Sequence, residues 1–274
     1  MYNLISEGGR YKYVCLALEK TTKEKNWVVI KFPTTATTDT KKGSKLLYEY
    51  MMQHHAHTCT YHGMCTVPKP LGFIRFNYGD QRVFLLVTTF CGVAPGASVS
   101  FNLGRAMQKH LNSSPILTLI EWRNICKYLL EGFETLQRND IYHNNVRFSN
   151  ILLQFHENSV QPVIVGFANA SRRESDKKPP ETFYPRMDPR KTAHIAPELF
   201  QQPNPLPTSD LYGVLYVILN LSGHLKFART AELMRSFRGL APDKRPGFGV
   251  VKEQVLEQLH NDLSRLERTG HKRG

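Results

Sequence analysis

The chain has 274 residues, 41% of them hydrophobic and 22% charged, which is the composition of an ordinary globular protein with length enough for a large core. Its formal net charge of +13 favours acidic partners, but no aromatics interleave its basic runs, which argues against nucleic acid. The longest nearly unbroken apolar stretch, Leu211 to Leu221, is eleven residues and too short to span a bilayer. Five cysteines without a C-x-x-C pair fit reduced thiols and a cytoplasmic setting, and the opening residues do not read as a secretory signal.

In chain order, residues 1 to about 32 read as strands. Tyr11, Tyr13, Cys15 and Ala17 alternate with Lys12, Val14, Leu16 and Leu18, and Trp27 to Phe32 is a β-rich run. Pro33 through Gly43 is rich in Thr and Lys, lacks an apolar period and reads as a loop. Leu46 to Met52 is periodic in apolar residues and holds Glu49, the only glutamate between residues 25 and 120. Val83 to Phe90 is the next clear strand, and from Cys91 onward the pattern turns helical. Thr118 to Arg138 puts Leu119, Trp122, Ile125, Leu129, Phe133 and Leu136 on one face. Asp210 to Leu221 is apolar all round, which predicts a buried helix, and Phe248 to Arg268 is amphipathic about Val251, Val255, Leu259 and Leu263. No internal repeat is present.

A series of short motifs runs through these elements. Trp27-Val28-Val29-Ile30-Lys31 ends a strand on a lysine, and Glu49 follows eighteen residues later. Leu85-Leu86-Val87-Thr88-Thr89-Phe90-Cys91 is a strand entering a loop. His143-Asn144-Asn145-Val146-Arg147-Phe148-Ser149-Asn150 leads into Ile151-Leu152-Leu153, and Val163-Ile164-Val165-Gly166-Phe167-Ala168 comes next. Ala196-Pro197-Glu198, Ser209-Asp210-Leu211-Tyr212-Gly213 and Lys244-Arg245-Pro246 complete the series. Together they resemble the protein kinase superfamily over nearly the whole chain, whose landmarks are V-A-I-K, H-R-D-x-x-x-x-N, D-F-G and A-P-E. The resemblance implies an α+β, bilobal protein-kinase-like fold made of one domain over residues 1–274. A small β-rich N-lobe with an αC-type helix would occupy 1–90 and a larger, mainly helical C-lobe 91–274. Lys31 would pair with Glu49, and Glu198 with Arg245. Because the chain starts almost on the glycine-rich loop of that frame, a domain within a longer protein is expected.

Two acids that kinases use are absent. The catalytic-loop aspartate, which accepts the proton of the attacking hydroxyl, is Asn145, and a carboxamide is not a useful base near neutral pH. The D-F-G aspartate, the main metal ligand, is Gly166, which offers no side chain. Asn150 and Arg147 remain, but magnesium usually takes one or two carboxylates as well as substrate phosphates. The glycine-rich loop keeps only Gly9 of its three glycines, with Glu7 and Lys12 at the other two positions. Gly9, Val14, Val29, Lys31, Thr88 as gatekeeper, Phe90 and Leu152 would form the candidate nucleotide pocket, with Val29 narrowing it where kinases have alanine. ATP binding with weak or no magnesium dependence is one expectation; a structural Lys31–Glu49 ion pair without any ligand is the other, and no cofactor is required.

The chain thus reads as a pseudokinase, with no intact catalytic set, that acts as a scaffold or allosteric binding partner. The alternative is a weakly active Ser/Thr kinase using Lys31, Arg147, Lys12 and Asn150, and a gain of activity through Asn145→Asp with Gly166→Asp would mean that the rest of the machinery is intact. A third reading is a zinc-binding interaction module, since Cys59, His62 and Cys65 are spaced as three ligands on one loop near His54, His55 and His57. The segment from Gly166 to Glu198 carries Arg172, Arg173, Lys177, Lys178, Arg186, Arg190 and Lys191, a basic surface for an acidic protein partner or simply a solvated loop. The region between Asp210 and Arg245 is expected to be trimmed relative to kinases.

Overall fold

The computed structural model describes residues 3–8, 12–18, 26–32, 40–60, 62–79, 81–91, 102–111, 116–172, 192–201 and 205–270. These form a mixed α+β arrangement. Five antiparallel strands, β1 (Asn3–Gly8), β2 (Lys12–Leu18), β3 (Trp27–Phe32), β4 (Pro70–Tyr78) and β5 (Gln81–Thr89), make one sheet in the order β1-β2-β3-β5-β4. Val14 lies opposite Lys31 and Lys31 opposite Leu86, while Leu16, Val29 and Thr88 are in register across the same three strands. Directly paired residues share a face, as do residues two apart along a strand. Val14, Leu16, Val29, Lys31, Leu86 and Thr88 therefore line one face of the sheet.

Helix α1 (Thr40–Thr60) begins inside the stretch expected to be a loop through Gly43. A first helical turn needs no apolar residue, so hydrophobic period does not detect it. Strand β4 had no clear sequence signal, because Pro70, Gly72 and Asn77 interrupt its alternation. It turns into β5 at Gly79, which takes a φ of +57° open mainly to glycine.

The region after Cys91 is not purely helical. Two hairpin-like pairs interrupt it: β6 (Ile141–Tyr142) with β9 (Ser171–Arg172), and β7 (Ile151–His156) with β8 (Ser159–Ile164). Strands of two to six residues are too short to register as a period. Around them stand α2 (Leu103–Leu111), α3 (Leu119–Arg138), α4 (Ser209–His224), α5 (Ala228–Gly239) and α6 (Phe248–Gly270). Helix α3 starts at a capping box: Glu121 N–H donates to Thr118 Oγ1 at 3.2 Å, and Thr118 N–H donates to Glu121 Oε2 at 2.6 Å.

The main core joins α3, α4 and α6 through Trp122, Ile125, Leu129, Phe133, Leu215, Ile218, Val251, Val255 and Leu259, all buried. Each such side chain contributes about 1.5–3 kcal/mol by leaving water. Helix α3 also meets the turn after α1 closely, since a Cβ on Gly132 would sit 2.6 Å from Cys65 Cβ. No described helix is long and apolar enough to cross a membrane.

Candidate functional site

Strand β3 presents Lys31 to helix α1, where its Nζ lies 3.1 Å from Glu49 Oε1; the carboxylate side chain is 1% exposed. One residue earlier, Tyr48 Oη donates to Ala170 O at 2.8 Å and fastens α1 to the turn at Phe167–Asn169. Thr88, buried, and half-buried Val14 and Val29 share the Lys31 face of the sheet. Phe90, at the end of that sheet, donates its N–H to Trp27 O at 3.3 Å, and Leu152 pairs with Val163 and bridges to Asn102. Gly9 lies outside the described residues.

The loop after β6 is held from below by Asp210, at the start of α4. Its two oxygens accept the backbone N–H groups of His143 at 2.5 Å and Asn144 at 2.7 Å. Burial pushes the Asp210 carboxyl up to about 6, although both N–H groups favour its ionised form. Asn144 takes a φ of 60° and its Nδ2 donates to Asn169 O and Ser171 Oγ, tying the loop to the chain after Phe167. Asparagine tolerates that left-handed backbone better than most residues.

His143 is fully buried, with its ring edge-on to Phe167 at 4.9 Å between centroids. Its Nδ1 accepts from Asn145 N–H and its Nε2 faces Val165 O at 3.0 Å, which assigns the proton to Nε2. Burial, the largest influence, pushes its pKa down to about 4, so the ring is neutral.

Asn145 is held through both its side chain and its backbone. Its Oδ1 lies 3.0 Å from His194 Nε2. His194 is pushed down to about 4, first by burial and then by the Arg147 charge, so it is a neutral ring donating its Nε2–H to the amide oxygen. The backbone O of Asn145 accepts from Asn150 Nδ2 at 2.9 Å. Asn150 Oδ1 points at Gly166, where a Cβ would come within 2.8 Å of it, and Gly166 has φ +88° and ψ 48°. Arg147 is exposed and makes no ion pair with a described residue.

Two described carboxylates near this loop are both engaged, Glu49 with Lys31 and Asp210 with backbone N–H groups. Neither is placed as a proton acceptor at Asn145, and a divalent ion at Asn150 would meet one amide oxygen beside a glycine. Among the described residues the arrangement presents cations and amide donors, and no second carboxylate stands beside Asn150.

Cys59, His62 and Cys65 are not gathered. Cys65 is packed on Gly132, where burial pushes its thiol far up and away from the thiolate that zinc needs. Cys59 Sγ donates to Ala56 O at 3.3 Å and His62 is exposed. Among the described residues no group of three His, Cys, Asp or Glu side chains is placed to hold a metal ion. The five cysteines are unbridged. Behind the loop, Arg245 grips Glu198 with two bonds of 2.6 and 3.1 Å in a buried pair, and Ser209 Oγ adds a third at 3.0 Å. Residues 173–191, with most of the expected basic surface, lie outside the described residues.

His194 is the member of this site that sequence reasoning missed. Its one signal was its place two residues before Ala196-Pro197-Glu198, on a segment read only for its charge. No protein-family model matches the chain, and no curated protein matches it.

Proposed function

We propose that the chain is a bilobal protein-kinase-like domain that works by binding and not by phosphoryl transfer: a pseudokinase. The observation that carries this reading is the Asn145–His194 hydrogen bond at 3.0 Å. Where a kinase needs a free carboxylate beside the attacking hydroxyl, this chain has an amide whose oxygen is already taken by a neutral histidine. Gly166 supports it from the other side, since the nearest oxygen donor there is the Asn150 amide. The kinase frame itself is supported by the Lys31–Glu49 pair, the Glu198–Arg245 pair and Asp210 under the His143 loop, each joining motifs that lie apart in sequence.

In this reading 1–90 and 91–274 are the two lobes of one domain, and the domain serves as a scaffold or allosteric partner for another protein. The +13 charge favours an acidic one, and the unbridged cysteines fit the cytosol. Lys31 and the face bearing Val14, Val29 and Thr88 would admit a nucleotide only without much help from metal. The test is a thermal shift with ATP, with and without magnesium, followed by a radiolabel transfer assay. The expected result is a shift indifferent to magnesium, or none, and no transfer. A magnesium-dependent shift with transfer that vanishes in Lys31→Ala would replace this reading by a weakly active kinase.

A further inference from the structure

Strand β4 is the outermost strand of the sheet on the β5 side, and it is nine residues long. In an antiparallel ladder every other residue of such a strand turns its N–H and C=O away from the sheet, where they can pair with another chain. Proteins commonly blunt such edges by keeping them short or covered. Here Leu71 and Ile74 are 46% exposed and Phe76 42%, with Arg75 and Asn77 exposed between and beside them.

The register sorts these side chains by face. Ile74 pairs with Leu85 and Phe76 with Val83, so one face beside the edge is apolar. Arg75 pairs with Phe84 and Asn77 with Arg82, so the other face carries one guanidinium on the edge strand and a second one strand further in. Lys69 stands exposed just before the strand. Lys69, Arg75 and Arg82 make no ion pair with a described residue, and Asp80 is the single acid in the sequence between residues 50 and 120, against these three cations.

We propose that the free edge of β4 takes up an extended segment of a partner protein as an added strand, and that this segment alternates acidic and apolar residues. Successive side chains of the added strand point to opposite faces. Its acids would lie beside Arg75 and Asn77, with the Arg82 charge one strand further in on the same face, and its apolar residues beside Ile74 and Phe76, while main-chain bonds to β4 supply most of the affinity. A second copy of this chain is a poor occupant, because it would bring two strongly basic edges together. The inference stands on the sheet edge alone and is independent of the kinase reading.

The test uses the full chain and a labelled eight-residue peptide of alternating Glu and Val. Its controls are a peptide of the same composition with the acids in one block and an alternating Lys–Val peptide. The alternating acidic peptide is expected to bind at least about tenfold more tightly than either control. It should also slow amide hydrogen exchange within residues 71–78. The variant Arg75→Glu with Arg82→Glu, both exposed positions, should weaken it by about tenfold or more and accept the Lys–Val peptide instead. Equal binding of the blocked peptide, protection mapped away from β4, or no binding of any peptide at millimolar concentration would each overturn the proposal. So would light scattering that shows a dimer whose β4 amides are already protected.

Discussion

Gly166 combines two constraints that no other described glycine combines: a φ of +88° and an Asn150 oxygen 2.8 Å from where a Cβ would go. Gly166→Ala should therefore destabilise the protein by about 1–3 kcal/mol, read as a lower urea midpoint at unchanged slope. Aspartate tolerates that backbone better than alanine but meets the same oxygen, so Gly166→Asp also costs stability. A Gly166→Ala variant as stable as the parent would show that Asn150 swings away freely. Lys31 has a different kind of dependence. Removing it takes the Lys31 cation from Glu49, 1% exposed, and Lys31→Ala should cost about 1–3 kcal/mol whether or not a nucleotide ever binds. A loss under about 0.5 kcal/mol would mean that the pair behaves as a surface ion pair.

Elements differ in how openly the chain declares them. Helices α3, α4 and α6 follow from local signals: an apolar stripe with the Thr118–Glu121 cap, an unbroken apolar run, and a second stripe. Strand β4 and the first turn of α1 do not, because an interrupted edge strand and a polar helix start bury too little to leave a period. Packing between elements is less legible still. Nothing in the residues around Gly132 announces that α3 must pass within van der Waals contact of Cys65, 67 positions earlier, yet the close approach is there. Gly132→Ala should force the helix and the turn apart, at a cost of about 1–3 kcal/mol and a Tm lower by several degrees. An unchanged Tm would indicate that the turn yields without strain.

Among the described residues, three buried groups with shifted ionisation bear on the response to acid. His143 and His194 titrate near 4 in the fold against 6.5 when unfolded, so the stability they confer is complete above pH 6.5 and lost as pH falls through 4. Asp210 acts in the opposite sense: raised to about 6 from 3.8, it favours the fold fully below 3.8 and loses that contribution as pH rises through 6. Between about 4 and 6 the unfolded chain binds two protons more at the histidines and one fewer at Asp210. From these three groups the net of about one proton lowers stability by about 1.4 kcal/mol for each unit of acidification, and His55, lowered first by partial burial, acts in the same sense. Urea midpoints measured from pH 7 to 4.5 should trace that slope. His194→Gln, which keeps a donor for Asn145, should flatten it, and a flat profile in the unmodified protein would contradict the assignment.

What the string of residues established is compositional: no carboxyl group stands at positions 145 and 166, and no fold can put one there. It likewise established the helices whose burial pattern repeats every turn, because that period is a property of neighbouring residues. Three-dimensional packing settled the rest. It brought His194 onto Asn145 across 49 positions, set Gly166 into left-handed backbone against Asn150, seated Asp210 under a loop 66 residues upstream, and left β4 at the margin of its sheet. Contacts of that span depend on where whole elements come to rest against one another, and a linear pattern holds no record of distance through space.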